Sequence, residues 1–179
     1  DGTEGTLIEL SGIEGLSIDF NFTLTILTRS QLTLDHIIGK PLSFSICYSG
    51  MIRYLNGIID TIEQISSPLP SRYAYRCQLV PTLHLLNLHT DCRNYQQQSV
   101  IDIVKFWSQQ FNISEVDFSE LTQTYRPIHY VVQYNESVWH FLRRLFASHG
   151  IFYYFTFSND QHKLILGDSI HSYQKNHKT

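Results

Sequence analysis

The chain has 179 residues, 42% hydrophobic and 13% aromatic, enough to bury the core of one ordinary domain or two small ones. That composition excludes wholesale disorder. Thirteen Lys and Arg against sixteen Asp and Glu leave a formal charge of −3, which argues against a phosphate-backbone binder, and so no nucleic acid is expected as a partner. Charged residues are only 16% of the chain, which suggests a surface partly covered by partners. Against 19 Ile and 20 Leu stand two Ala, a balance that favours strands over helices. The three cysteines, Cys47, Cys77 and Cys92, form no CxxC pair, so reduced, buried thiols are expected rather than a disulfide framework or a zinc site. No run of 18 apolar residues occurs, and no membrane-spanning segment is expected. No signal-peptide pattern is visible. The first residue is Asp1 rather than Met, so a cut, processed or omitted amino end is expected.

The first ninety residues read as strands. Between residues 16 and 26, Leu16, Ile18, Phe20, Phe22, Leu24 and Ile26 alternate with polar residues, one buried face against one wet face. The same period recurs in Leu42, Phe44, Ile46 and Tyr48, and in Tyr73, Tyr75, Cys77 and Leu79. Gly50 is placed to turn the chain into a hairpin, and Gly57 to mark a bulge or bend in the strand that follows. Residues 66–71 are a loop by composition. Several short strands with turns between them predict a small antiparallel barrel or sandwich.

The period then changes. Val100, Ile103, Val104, Trp107 and Phe111 define one face of a helix, opened by Ser99 with Asp102 three residues on. A second helix carries Val138, Phe141, Leu142 and Leu145, with Asn135 as candidate cap and Gly150 where a left-handed glycine ends it. A strand is expected through Ile128, Tyr130, Val132 and Tyr134, and a hairpin from residues 151–157 to 162–166. The fold class is thus β-rich α+β: a small antiparallel β-barrel over residues 1–90, then an α+β subdomain with two helices over 91–179.

No active site is legible. His84, His89, Asp91 and Cys92 make a conceivable metal cluster, but their spacing matches no compact zinc signature, and no metal or cofactor is expected. Neither a GxSxG elbow nor a phosphate-cradling loop occurs. The acid pairs Asp60 and Glu63, and Asp117 and Glu120, have the spacing of ordinary surface residues. Sequons begin at Asn21, Asn112 and Asn135; they carry weight only in a eukaryotic secreted protein, against which the lack of an expected disulfide framework argues. His140 and His149 read as surface or helix-end charges; Glu136, with Arg143 and Arg144, reads as a helix whose charges suit its dipole.

One ordered set of segments resembles a known family. Gln133, Tyr134, Glu136 and Ser137 are followed by Phe141 and Leu142, then Gly150 and Ile151, and finally Asp168. Upstream, in order, come Gly39 and Lys40, Gly57, Pro81, and Arg93 with Gln96. The pattern, running from about Leu10 to Tyr173, is similar to the VgrG spike family of type VI secretion systems. Tyr95 departs from it, where the family tends to have Phe, and His149 stands where an acid is usual.

The resemblance implies mechanics rather than chemistry. Family members are homotrimers whose amino-terminal region is like the tail hub of contractile phages, with two barrels and α+β segments between them. That region adapts a tube of hexameric Hcp rings to a threefold spike, which continues into a neck and a β-helical needle. Hcp rings, further copies of the chain, and baseplate and effector or tip proteins are the partners implied. So are a chain that is a fragment of a longer one, assembly in a bacterial cytoplasm, and export through the apparatus without a signal peptide. The motif residues are then structural, and no catalytic residue is implied. Two other readings stand beside this one: the baseplate hub of a contractile phage, and a hydrolase or carbohydrate-binding β module.

Overall fold

The computed structural model describes residues 5–172, so Tyr173 and the ends of the two expected segments lie outside the described residues. The chain divides into two compact units. One runs to Pro81 and takes in Phe157–His162; the other comprises Thr82–Thr156 and the chain from Lys163.

The first unit is one antiparallel sheet of five strands: β1 (Gly5–Gly15), β2 (Ile18–Thr28), β3 (Pro41–Tyr48), β4 (Met51–Ile65) and β5 (Tyr73–Val80), in the order β1-β2-β5-β4-β3. Gly50 turns the chain as its sequence predicts, in a two-residue loop where Ser49 and Gly50 both take positive φ. β1, rich in glycine and interrupted by two register shifts, has no clean alternation and is an addition to the strands expected. The alternation in β2 holds for Phe20, Phe22 and Leu24, all buried, and fails at both ends. Leu16 belongs to the tight turn with Ser17, and Ile18 beside it is exposed. At the far end Thr25, Leu27 and Thr28 are all buried, because the chain beyond folds back: Thr28 Oγ1 donates to Ser30 O and Leu32 N to Tyr75 Oη.

Gly57 marks no bulge. The register of β3 with β4 runs straight through it, and the shift falls between Ile59 and Thr61. A Cβ at Gly57 would lie 2.5 Å from Val80 O and 3.0 Å from Leu79, so glycine is required by close approach of backbone. Arg53 of β4 forms an ion pair with Glu14 of β1 although two strands separate them in sheet order. The sheet is therefore curled, a half-barrel. Its aromatic core joins Phe20 and Phe22 to Phe157 and His162, with ring centroids 5.1 Å apart for Phe20 and Phe157, and Asn56 Nδ2 donates to Ser158 O.

In the second unit β6 (Thr90–Gln98) precedes helix α1 (Val100–Gln110) and β7 (Val116–Glu120). Then come β8 (Ile128–Ser137), helix α2 (Val138–Ser148), β9 (Phe152–Phe157) and β10 (His162–Gly167). β6 and β8 form an antiparallel ribbon; β7, β10 and β9 form a second sheet in which β7 and β10 run parallel. The core gathers Ile103, Trp107, Trp139, Phe141, Phe146 and Tyr153, the apolar faces of the two helices included.

Ser99 and Asp102 form a reciprocal capping box, as their spacing predicts. The cap of α2 is Ser137, not Asn135: His140 N donates to Ser137 Oγ at 3.2 Å. Asn135 is instead the extra residue of a bulge, since Asp91 pairs with Glu136 and Cys92 with Tyr134. Its φ of 47° is left-handed, a conformation asparagine tolerates better than most residues. Gly150, at φ 68°, ends α2 as expected, with Ile151 N returning to Phe146 O. Only Cys77 is buried; Cys47 and Cys92 are exposed, because both lie on the outward faces of their strands. Burial pushes the Cys77 thiol up to about 11, so it stays protonated at neutral pH.

Ser137→Ala should lower unfolding free energy by about 1 kcal/mol. Asn135→Gly should leave it nearly unchanged, because glycine accepts the left-handed backbone. Urea titration of the two variants checks the assignment, and the reverse ranking would return the cap to Asn135.

Candidate functional site

The bulge at Asn135 decides what the motif residues do. By inserting one residue into β8 it turns Glu136 towards α2 just before the helix begins. Arg144, two turns along, donates to Glu136 Oε1 at 2.5 Å and to Val132 O at 2.9 Å, and His140 Nδ1 meets Glu136 Oε2 at 3.0 Å. The hydrogen bond from Arg144, outweighing burial, holds the Glu136 carboxyl below its ordinary pKa. Arg144 thus reaches back to an acid near the start of the helix rather than to its carboxyl end, while Arg143 is exposed. Asn135 N donates to Cys92 Sγ at 3.3 Å, which fixes the bulge from the facing strand.

Gln133 is fully buried and extends this arrangement inward. Its Nε2 donates to Glu136 O, and its Oε1 accepts from Tyr95 Oη at 3.1 Å. That hydroxyl in turn accepts from Trp107 Nε1 at 2.8 Å. One relay therefore ties α1, both ribbon strands and the start of α2, and every buried polar atom in it has a partner. The departure at Tyr95 explains itself: the hydroxyl that Phe would lack fills the gap between indole and amide. Phe141 stacks on the Tyr95 ring at 5.2 Å, and Leu142 and Ile151 are buried nearby in sequence. Arg93, bonded to Asp91, lies over Phe106 and Trp107. Tyr134 and Gln96 face outward from the ribbon.

Asp168 makes a second cluster. Its carboxylate accepts from the backbone N–H groups of Thr122 and Gln123, from Thr122 Oγ1 and from Tyr125 Oη, all within 3.0 Å. Burial raises its pKa, but these four donors together outweigh it and keep the carboxyl below its usual range. Burial first, and then the hydrogen bond to Asp168 and its charge, push the Tyr125 phenol up. In the first unit, Gly39 at φ 76° and Lys40 staple the start of β3 to Ile59 through backbone bonds, and Pro81 is the unit's buried last residue before the chain crosses to the other.

The other residues singled out in the sequence are not brought together. His89 packs on the rings of Trp107 and Phe111, whereas His84 lies within 3.5 Å of Asn87. Asp91 is used by Cys92 N and Arg93. Glu63 pairs with Arg76, and Asp117 accepts from Ser119 N. Among the described residues no group of three His, Cys, Asp or Glu is arranged to hold a metal. Sequence reasoning missed the Tyr95–Trp107 bond and the donors to Asp168, since nothing local in the sequence pairs residues so far apart.

The contacts of the motif residues thus lie within the framework of each unit; the comparisons with known proteins give the family. The sequence profile of the phage tail baseplate hub (GPD) family matches residues 13–179. The chain belongs to that family. Type VI secretion spike proteins of Pseudomonas aeruginosa are similar to it. VgrG1b is 33% identical over 171 residues, 94% of this chain and 23% of that protein. VgrG1a is 34% identical over 168 residues, 91% of this chain and 25% of that protein. The resemblance to VgrG seen in the motifs thus holds, and the chain spans about a quarter of the length of these curated relatives. The hub fold recurs in solved structures. The E. coli c3393 protein, a type VI component similar to the T4 tail proteins gp27 and gp5, superposes with a TM-score of 0.86 at 20% identity. That match covers 97% of this chain and 49% of the other. The 43 kDa tail protein of prophage MuSo2 from Shewanella oneidensis gives 0.53 at 16% identity, over 84% and 45% of the two chains.

Two outcomes follow for the hub framework. Tyr95→Phe should cost about 1–3 kcal/mol by urea titration, because Trp107 and Gln133 lose a buried partner; an unchanged midpoint would dissolve the relay. Acid should also weaken the second unit. Asp102, Glu136 and Asp168 all have folded pKa values held below their ordinary ones. Their stabilisation is therefore full above about pH 4.5 and is lost as pH falls through the folded values. Asp168→Asn should flatten part of that slope in urea midpoints measured from pH 6 down to about pH 3.

Proposed function

We propose that this chain is the hub segment of a trimeric type VI secretion spike, joining a tube of Hcp rings to the puncturing needle. The observation that carries the reading is the match to VgrG spike proteins over nine-tenths of the chain. Residues 1–90 supply part of a hub barrel, closed in the assembled particle, and residues 91–179 the α+β subdomain. The motif residues set the frame of each and take no part in catalysis; this segment has no enzymatic activity of its own. A chain of the Francisella PdpA–VgrG complex has a fold similar to this one, with a TM-score of 0.60 at 12% identity. That supports a place for baseplate, effector or tip proteins among the partners here. Assembly takes place in the bacterial cytoplasm, and the spike then leaves through the apparatus.

A phage baseplate hub is the second reading, supported by the family profile itself. The curated matches favour secretion, since those quoted are spike proteins. Light scattering on the full-length gene product tests the proposal: a trimer whose subunit far exceeds 20.9 kDa is expected. A monomer near 20.9 kDa would overturn it.

A further inference from the structure

The β9–β10 hairpin is shared between the two units. Its strands lie in the β7-β10-β9 sheet, and Tyr153, Leu164 and Leu166 are buried in the core of the second unit. There the Tyr153 ring meets that of Trp139 with centroids 5.4 Å apart. The end of the hairpin, Phe157–His162, belongs to the first unit instead. The Phe157 and His162 rings lie 5.1 and 5.3 Å from that of Phe20, and Asn56 Nδ2 donates to Ser158 O at 2.8 Å. Phe20 and Asn56 are both buried, so the described residues themselves cover them.

The hairpin has little slack. From Tyr153 to Phe157 is about 13 Å of extended strand, and Leu164 stands two positions from His162. The turn between them is closed on itself, with Ser158 N and Ser158 Oγ both donating to Gln161 O, at 2.9 and 3.0 Å. A displacement of the packed strands therefore reaches the tip instead of being absorbed on the way. The tip in turn is held in the first unit. Asn56 Oδ1 has no partner among the described residues, so Ser158 O alone compensates the burial of that amide. Withdrawing Ser158 would leave both ends of a buried amide unpaired, and withdrawing Phe157 would uncover the Phe20 ring.

We infer that this hairpin is a strap that couples the stabilities of the two units: opening the second core withdraws Phe157 and Ser158 from the first. Such coupling is reciprocal, so a loosened first unit also loosens the hairpin. The strap goes beyond the spike reading and does not rest on it, because every contact it uses lies within one chain.

The test is deuterium uptake by the full-length protein. Leu164→Ala leaves a cavity in the second core and should speed exchange in the peptide covering β10. With the strap in place it should also speed peptides covering residues 18–24 and 54–59 of the first unit, about 10-fold or more. Phe157→Ala should speed those first-unit peptides by itself, and adding Leu164→Ala to it should then change them less than about twofold. Leu164→Val and Phe157→Leu serve where an alanine variant does not fold. First-unit peptides at wild-type rates in Leu164→Ala, beside a fast β10 peptide, would overturn the inference. A first-unit response that persists undiminished in the Phe157→Ala background would overturn it equally, since the coupling would then run by another route.

Discussion

The second unit depends on an amide that never reaches water. A ribbon of two strands has too little surface to hold itself together, and here Gln133 makes it part of something larger. Its carbonyl and its NH₂ are both spent, one on Tyr95 and the other on the backbone of Glu136. Helix α1 enters through the Trp107 indole, and α2 through the residue that precedes its cap. Hydrophobic burial supplies the larger share of the free energy, but burial is non-directional. The relay supplies geometry: it fixes which residue of β6 faces which residue of β8, and so where α2 starts.

The same logic governs the bulge. Without the extra residue at Asn135, Glu136 would alternate to the other face of the ribbon. Arg144 would then lose its anion, and Val132 O a donor. A motif that reads in the sequence as a run of polar residues is thus a local change of register followed by a cap. Asp168 does comparable work at the far end, satisfying two backbone N–H groups of an irregular segment that has no strand partner of its own there.

What the sequence makes legible divides along physical lines. Periodicity exposes β2 to β5, both helices and the β9–β10 hairpin, because each has one face in a core. It is silent on β1 and β6, where glycines, bulges and outward polar residues erase the period. Local chemistry reads well when it closes within three or four residues, as at Ser99 and Gly150. It misleads at Asn135, whose preference for left-handed backbone and for capping are equally strong signals in a sequence. Gly57 shows the limit most plainly: its reason lies on Val80, a neighbour only once β4 and β5 have paired.

The first unit takes one piece from much later in the sequence than its strands. Phe20 and Phe22 rest on Phe157 and His162, residues that a ribosome adds long after Pro81. A nascent chain that has released only the five strands therefore holds an aromatic floor with nothing over it, flanked by two unpaired edges. Such a species is prone to non-native association while synthesis continues. Strands made early therefore wait for a segment made later. Folding of this hub is in that sense a closing rather than a stacking, and its slow event should be the arrival of the β9–β10 tip.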